Sequence, residues 1–145
     1  MPELRYPATL HHPPPVVDLG SRAERERLSP AALSAFFSIL ERWCVRDEDA
    51  RRLLGGVTNG PYYEMKKNHA GRTLDSDTLL RISYLVGIFK ALHILHGDAL
   101  ADEWVRLPNT NRLFRGTTPL TYMVEGGIPA MQTVRRLLDA RRGGS

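Results

Sequence analysis

Apolar residues recur every three or four positions in the first patterned stretch of the chain. They are Ala32, Leu33, Phe36, Phe37, Leu40 and Trp43. This spacing builds one buried helical face, and strand-like alternation is absent. Ser29-Pro30 places a serine N-cap before a proline at the first helical position. The pattern therefore predicts a helix that begins there and runs to about Cys44.

Further helices are predicted along the rest of the chain. One runs from about Asp47 to Leu54, with acidic residues in its first turn and Gly55-Gly56 as its stop. The next is opened by Pro61 and runs to Asn68. A long helix from Asp75-Ser76 to His96 is apolar around much of its circumference, so it must be covered on more than one side, within the monomer or at a dimer interface. Shorter helices are expected at about 98–105, 119–124 and 129–140, and the absence of alternating segments predicts an all-α fold.

The predicted organisation has three parts. Residues 1–27 carry five prolines, which cannot continue a helix, and are interpreted as a flexible arm. The arm is either a solvated tail or a segment that wraps a dimer partner or touches DNA. Residues 28–75 are expected to form a helix-turn-helix domain. Residues 76–145 are expected to hold a central dimerising helix and a small helical domain.

Composition narrows the class of protein. The chain has 145 residues, a net charge of +4 and a single cysteine, Cys44, which excludes an intramolecular disulfide and is expected to be buried. No apolar leader follows the N-terminus, and no run approaches the roughly 20 apolar residues that span a bilayer. We therefore expect a cytoplasmic protein with no membrane span.

A basic cluster coincides with the two short helices. Residues 51–72 contain five basic side chains and one acidic side chain. A second short helix after a tight turn can lie in the major groove, with polar side chains at bases and cations at phosphates. The candidate DNA-binding residues are Arg51, Arg52, Thr58, Asn59, Tyr62, Tyr63, Lys66 and Lys67. The alternative is an ordinary surface helix pair with solvated charges, and Gly60-Pro61 shortens the surface that could read bases.

The sequence offers little for catalysis or metal binding. Of the five histidines, only His93 and His96 share helical spacing, and no acidic residue or cysteine beside them completes a metal site, so they are expected on a polar helix face. Cys44 has no histidine nearby in sequence, and no glycine-rich phosphate loop follows a strand. We expect no catalytic residue, metal or cofactor, and hence no enzyme.

The most specific stretch lies near the C-terminus. It contains Trp104, Pro108-Asn109, Phe114, Gly116, Thr118-Pro119-Leu120 and Gly126-Gly127. Thr118 can cap the helix that Pro119 begins, and Gly126 can end it in a left-handed conformation. By physics alone this predicts a compact helical subdomain, in which Trp104 and Leu120 are expected to pack in the core.

Together these motifs resemble the Xre/MbcA/ParS-type antitoxin family, whose toxin-binding domain carries the same succession. The N-terminal half is also similar to the family's Xre-like domain, with Trp43, the tyrosine pair Tyr62-Tyr63 and the stretch 81–85. The resemblance implies an all-α protein in which an Xre-like helix-turn-helix bundle precedes a small helical toxin-binding domain.

The resemblance also implies a function. The chain would be the homodimeric antitoxin of a type II toxin–antitoxin pair, and would neutralise a cognate RES-domain toxin that consumes NAD or uses it for ADP-ribosyl transfer. Residues 131–145 would occlude the toxin's active site, and the other half would bind operator DNA and repress its own operon. The implied toxin-binding residues are Asn109, Phe114, Met123, Arg135, Arg136, Arg141 and Arg142. The alternative is a plain helix-turn-helix regulator whose C-terminal part dimerises or binds an effector.

Overall fold

A computed structural model describes residues 18–143 and shows six α-helices over that range. They are α1 (Arg22–Arg42), α2 (Asp47–Leu53), α3 (Asn59–Lys67), α4 (Ser76–Leu95), α5 (Asp98–Glu103) and α6 (Pro119–Arg142). Two short 3₁₀ turns, Trp104–Arg106 and Arg112–Phe114, lie between α5 and α6. No strand occurs among the described residues, so the all-α prediction is confirmed.

The long helix α4 lies at the centre of the bundle. It packs against α1, α5 and α6, and its most extensive contact is with α6. The apolar circumference of α4 predicted that other elements would cover it on several sides, and helices of the same chain do so. By length and composition α4 could span a membrane, with a mean hydropathy of 1.5. A core helix meets the same criteria, and Leu85, Ile88 and Leu92 of α4 are fully buried here.

The C-terminal helix α6 ties the two predicted halves together. It packs on α2 as well as on α4, and the buried residues of both halves belong to one hydrophobic core. The helix is kinked at Gly127, whose φ of 65° and ψ of −146° are not helical. The sequence pattern predicted a positive φ at Gly126, but the residue with a positive φ is the next one, Gly127. Gly126 serves close packing instead, since a Cβ there would lie 2.6 Å from the Cβ of Ala130.

The first helix begins earlier than predicted, at Arg22 rather than Pro30, so part of the predicted arm is helical. Ser21 caps α1 by accepting a hydrogen bond from the Glu24 backbone, and Pro30 lies inside the helix. The hydroxyl of Ser29 donates to the Arg25 carbonyl at 2.6 Å and accepts from the Leu74 backbone N–H at 2.8 Å. The first bond is local to α1, and the second is a tertiary contact that ties the turn before the proline to Leu74. Residues 1–17 of the predicted arm lie outside the described residues.

Cys44 follows the end of α1 and is exposed, so the expectation of a buried thiol was wrong. Its φ of 56° places it in the left-handed region, where its side chain is turned away from the core. The chain reverses at this residue to enter α2. Trp43, the preceding residue, is fully buried and anchors the end of α1.

The histidines near the end of α4 are half-buried. His93 Nδ1 lies 3.0 Å from the carbonyl of Phe89, and its Nε2 lies 3.2 Å from Asp102 Oδ1 on α5. Arg42 of α1 donates to the other oxygen of Asp102 at 3.2 Å. The Arg42–Asp102 pair links α5 to α1, whereas His93 Nε2 and Asp102 Oδ1 lie close together without hydrogen-bond geometry. Within residues 18–143 no group of three or more histidine, cysteine or acidic side chains is placed to hold a metal ion.

Candidate functional site

The helix pair α2–α3 forms the first candidate surface. Residues 54–58 connect the helices, and Gly55 and Gly56 adopt φ values of 105° and 89° that favour glycine. Helix α3 begins at Asn59, so Pro61 is its third residue and not its first as predicted. The first-turn N–H groups have no partner within a helix, so a proline at either position costs no hydrogen bond. The predicted pair of short helices is present.

The two helices are joined by the carboxylate of Asp47, the first residue of α2. It accepts hydrogen bonds from the Tyr62 hydroxyl at 2.6 Å, from Lys66 Nζ at 2.9 Å and from the Tyr63 hydroxyl at 3.2 Å. The bonds from Tyr62 and Lys66 lower the pKa of Asp47, and burial together with the carboxylate raises the pKa of Tyr62. Three donors from α3 therefore converge on one acceptor of α2. We call these four residues the Asp47 cluster.

This cluster changes what the predicted DNA-binding residues can do. The side chain of Tyr62 is 1% exposed, so its role in this structure is structural. The charge of Lys66 is paired with Asp47. Arg51 is half-buried, with Nη1 3.5 Å from the carbonyl of Val57. The cluster was not predictable from sequence, because an acidic residue in the first turn of α2 is already explained by its favourable interaction with the helix dipole.

The remaining predicted residues lie on the surface. Thr58 is the N-cap of α3 and Asn59 its first residue, and both are exposed. Arg52 and Lys67 are exposed as well, and neither is paired with an acidic side chain from residues 18–143. They are the cations of this surface that remain free for a phosphate. Contact with DNA stays a prediction.

The second candidate surface lies between α5 and α6, where residues 107–118 form a loop. The side chain of Asn109 accepts from the Asn111 backbone at 2.9 Å, and that of Asn111 accepts from Leu113 at 2.9 Å. The Asn109 N–H donates to the Thr117 carbonyl at 3.3 Å and closes the loop. Asn109 was predicted to contact a toxin, and in this structure it holds the loop in shape.

Two other predicted contact residues lie in the core. Phe114 and Met123 are 1% and 0% exposed. The ring of Phe114 packs edge-on against Trp104 at 6.1 Å and against Tyr122 at 5.3 Å. Neither Phe114 nor Met123 can touch a partner in this conformation. Both side chains instead support the surface residues that pack over them. Trp104 is buried, as predicted.

The four predicted arginines of α6 differ in their surroundings. Arg135 and Arg142 share Asp139, at 3.0 Å and 3.6 Å. The guanidinium of Arg135 also lies over Gly87 of α4, where a Cβ would overlap it. Arg136 and Arg141 are exposed and have no ion pair with residues 18–143. Only these two present an unpaired charge to the surroundings.

Sequence reasoning missed Arg112 and Arg115. Both are exposed, neither forms an ion pair within residues 18–143, and both line a pocket with Tyr122 and Glu125. Arg115 adopts a left-handed conformation with a φ of 50° and a ψ of 38°. The turn-forming Asn111 and the glycine after Arg115 are the sequence signal that could have drawn attention to this turn.

Comparisons with known proteins bear on the second surface. Residues 90–144 match the model of the antitoxin Xre/MbcA/ParS C-terminal toxin-binding domain. The chain is also 41% identical over 116 residues to the "Uncharacterized protein y4oB" of Sinorhizobium fredii, an alignment that covers 79% of this chain and 87% of that protein. No solved structure matches the chain. The loop 107–118 and the whole of α6 lie within the matched domain.

Proposed function

The chain belongs to the Xre/MbcA/ParS antitoxin family, and from this premise we propose that it is the antitoxin of a type II pair that neutralises a RES-domain toxin. The toxin would consume NAD or transfer ADP-ribose from it. The observation that carries the proposal is the match of residues 90–144 to a toxin-binding domain. The chain itself would perform no chemistry.

The burial of α6 supports a contact with the toxin through only one face of the helix. Its inner face is core, because Met131, Val134 and Leu138 are 0% exposed. The partner can therefore reach only the outer face, where Arg136 and Arg141 are unpaired. Arginine is enriched at interface hot spots and can hold a carboxylate with two hydrogen bonds. We propose that this outer face, continued by the C-terminal residues, occludes the active site of the toxin.

We further propose that the surface of α2 and α3 binds operator DNA in a homodimer. The exposed Arg52 and Lys67 would meet phosphates, and Thr58 and Asn59 would lie at the N-terminal end of α3 near base edges. A symmetric dimer can address two half-sites. This role is supported by the helix pair and its charge, and it would make the chain a repressor of its own operon.

The antitoxin role is tested by expression in a bacterial host. The chain is used as tagged bait in its native host to identify a RES-domain protein, which is then expressed alone and together with the chain. We expect the protein alone to deplete cellular NAD and arrest growth, and co-expression to restore both. Deletion of 131–145 is unsuitable as the negative control, since it removes buried core residues. The double variant Arg136→Glu with Arg141→Glu keeps the core and should lose protection.

The plain-regulator alternative predicts a different result. Such a protein binds DNA but would neither copurify with a RES-domain protein nor restore growth. Protection by the wild type that survives both charge reversals would place the occluding contact on another surface. Hydrolysis of NAD by the purified chain would contradict the non-enzymatic role.

A further inference from the structure

We propose that the pocket between the loop 107–118 and the first turns of α6 binds an acidic side chain of the toxin, held by Arg112 and Arg115. The inference rests on the proposed antitoxin function and adds a second contact to it. The pocket has a volume of about 450 Å³. It lies within the matched toxin-binding domain, at residues other than the outer-face arginines of α6.

The charges of the pocket favour a carboxylate. Arg112 and Arg115 line it and form no ion pair with residues 18–143. Glu125, the one acidic residue in the lining, is exposed and is paired with neither arginine. A guanidinium presents donors in a planar fork that fits a carboxylate. Two such groups at one pocket leave positive charge that an acidic partner would neutralise.

The apolar side of the pocket favours a protein partner over nucleic acid. Its floor is the buried ring of Phe114, and Tyr122 packs edge-on against that ring with centroids 5.3 Å apart. The hydroxyl of Tyr122 has no hydrogen-bond partner within residues 18–143. An acidic side chain with an apolar stem, such as glutamate, could pack on the half-buried ring of Tyr122 while its carboxylate meets the arginines.

The loop is built to hold this arrangement before a partner binds. A left-handed φ of 50° at Arg115 is unfavourable for a residue with a Cβ, and such strain persists where surrounding contacts over-determine it. Those contacts are present. The Thr117 hydroxyl and N–H donate to the Phe114 carbonyl at 2.7 Å and 2.9 Å, and the Arg115 N–H donates to the Arg112 carbonyl at 3.2 Å. Preorganisation of this kind lowers the ordering cost of binding.

The test uses variants that spare the fold. Arg115→Asn removes the guanidinium and keeps a residue that tolerates the left-handed region. Arg112→Ala removes the second charge from an exposed position, and Arg115→Lys retains the charge without the fork. The matched control is Arg106→Ala, since Arg106 is an exposed arginine of the same domain outside the pocket.

The measurement is titration calorimetry of each full-length variant against the purified toxin that the wild type neutralises, at two salt concentrations. We expect Arg112→Ala and Arg115→Asn to weaken binding about 10- to 100-fold, as for arginine hot spots, with Arg115→Lys in between and Arg106→Ala within about threefold of wild type. Operator binding should be unchanged in all of them.

The outcomes separate this inference from the proposed function. Wild-type affinity of both pocket variants for the toxin would overturn the pocket and leave the antitoxin role standing. A loss of DNA binding with toxin binding intact would also overturn it, and would assign the arginines to nucleic acid. If the wild type binds no toxin, both proposals fall.

Discussion

Replacing Asp47 with alanine removes the acceptor on which three side chains of α3 converge. The Tyr62 hydroxyl is buried and 2.6 Å from the carboxylate, and a hydrogen bond to a charged group contributes about 1.5–3 kcal/mol. The Lys66 pair is half-exposed and adds less than about 1 kcal/mol after solvent screening. Because the cluster borders solvent, we expect a loss near the low end of the combined range, about 2 kcal/mol.

The assay is chemical and thermal unfolding at pH 7. A loss of about 2 kcal/mol should lower the Tm by about 8 °C in a domain of this size. Asp47→Asn retains an acceptor for Tyr62 and should lose less. Tyr62→Phe removes the donor, and the double variant Asp47→Ala with Tyr62→Phe should show a coupling of about 1 kcal/mol or more. An Asp47→Ala protein within about 0.5 kcal/mol of wild type would refute the reasoning.

The same carboxylate gives the prediction a pH dependence. Because the hydrogen bonds lower the pKa of Asp47 in the folded state, its contribution is present above the unfolded carboxyl pKa of about 4. It is lost as the pH falls through the lowered folded pKa. The difference in unfolding free energy between wild type and Asp47→Asn should therefore shrink below about pH 4. A difference that stays constant down to pH 2 would contradict a role for the ionised carboxylate.

Four further substitutions test other parts of the structure. Asp75→Ala removes the N-cap of α4, whose carboxylate accepts from the Thr78 backbone at 2.8 Å, and should cost about 1 kcal/mol in urea unfolding at pH 7. Gly87→Ala adds a Cβ that displaces the guanidinium of Arg135 and disturbs its pair with Asp139. Because such a partly exposed pair contributes less than about 1 kcal/mol, the gain in helix propensity of about 1 kcal/mol should keep the Tm at or above that of wild type. A fall of several degrees would mean that the arginine is fixed. Lys67→Ala should reduce the salt slope of operator binding by about 0.9. Lys66→Ala should reduce it by less, because Lys66 is already paired with Asp47. Equal reductions would mean that DNA breaks that ion pair.

The helices were predictable because their signals are local. The apolar period and the Asp75 cap placed α4 within a residue of its observed bounds, from Ser76 to Leu95. The start of α1 was not predictable in the same way. Ser29-Pro30 carries a stronger local start signal than Ser21, and the structure overrides it through the Ser29 contact with Leu74, which is 45 residues away in sequence. Tertiary hydrogen bonds of this range leave no mark on the local pattern.

The candidate surfaces also combine features that local sequence predicts with features that depend on long-range contacts. Charge and residue type identified the α2–α3 surface, and motif spacing identified the C-terminal domain. Which cations are free was not predictable, since Lys66 and Asp47 are 19 residues apart and meet only through the turn between the helices. Arg115 was missed because its importance lies in its backbone conformation. Residue types predict which chemical groups a surface carries. Which charges are paired, and which residues have a strained backbone, can be known only from the fold.

Because both halves share one core, a single substitution can affect both proposed binding surfaces. Arg81 of α4 is bound to Asp77 at 2.8 Å and lies against both glycine turns, 3.2 Å from the Cβ position of Gly55 and 3.8 Å from that of Gly127. One turn ends α2 in the proposed DNA-binding half, and the other kinks α6 in the toxin-binding half. A substitution that disturbs this junction should weaken both activities together. Only a variant that loses one activity and keeps the other identifies a contact residue. The Arg136→Glu with Arg141→Glu variant should therefore also be tested for operator binding, and Lys67→Ala for toxin neutralisation.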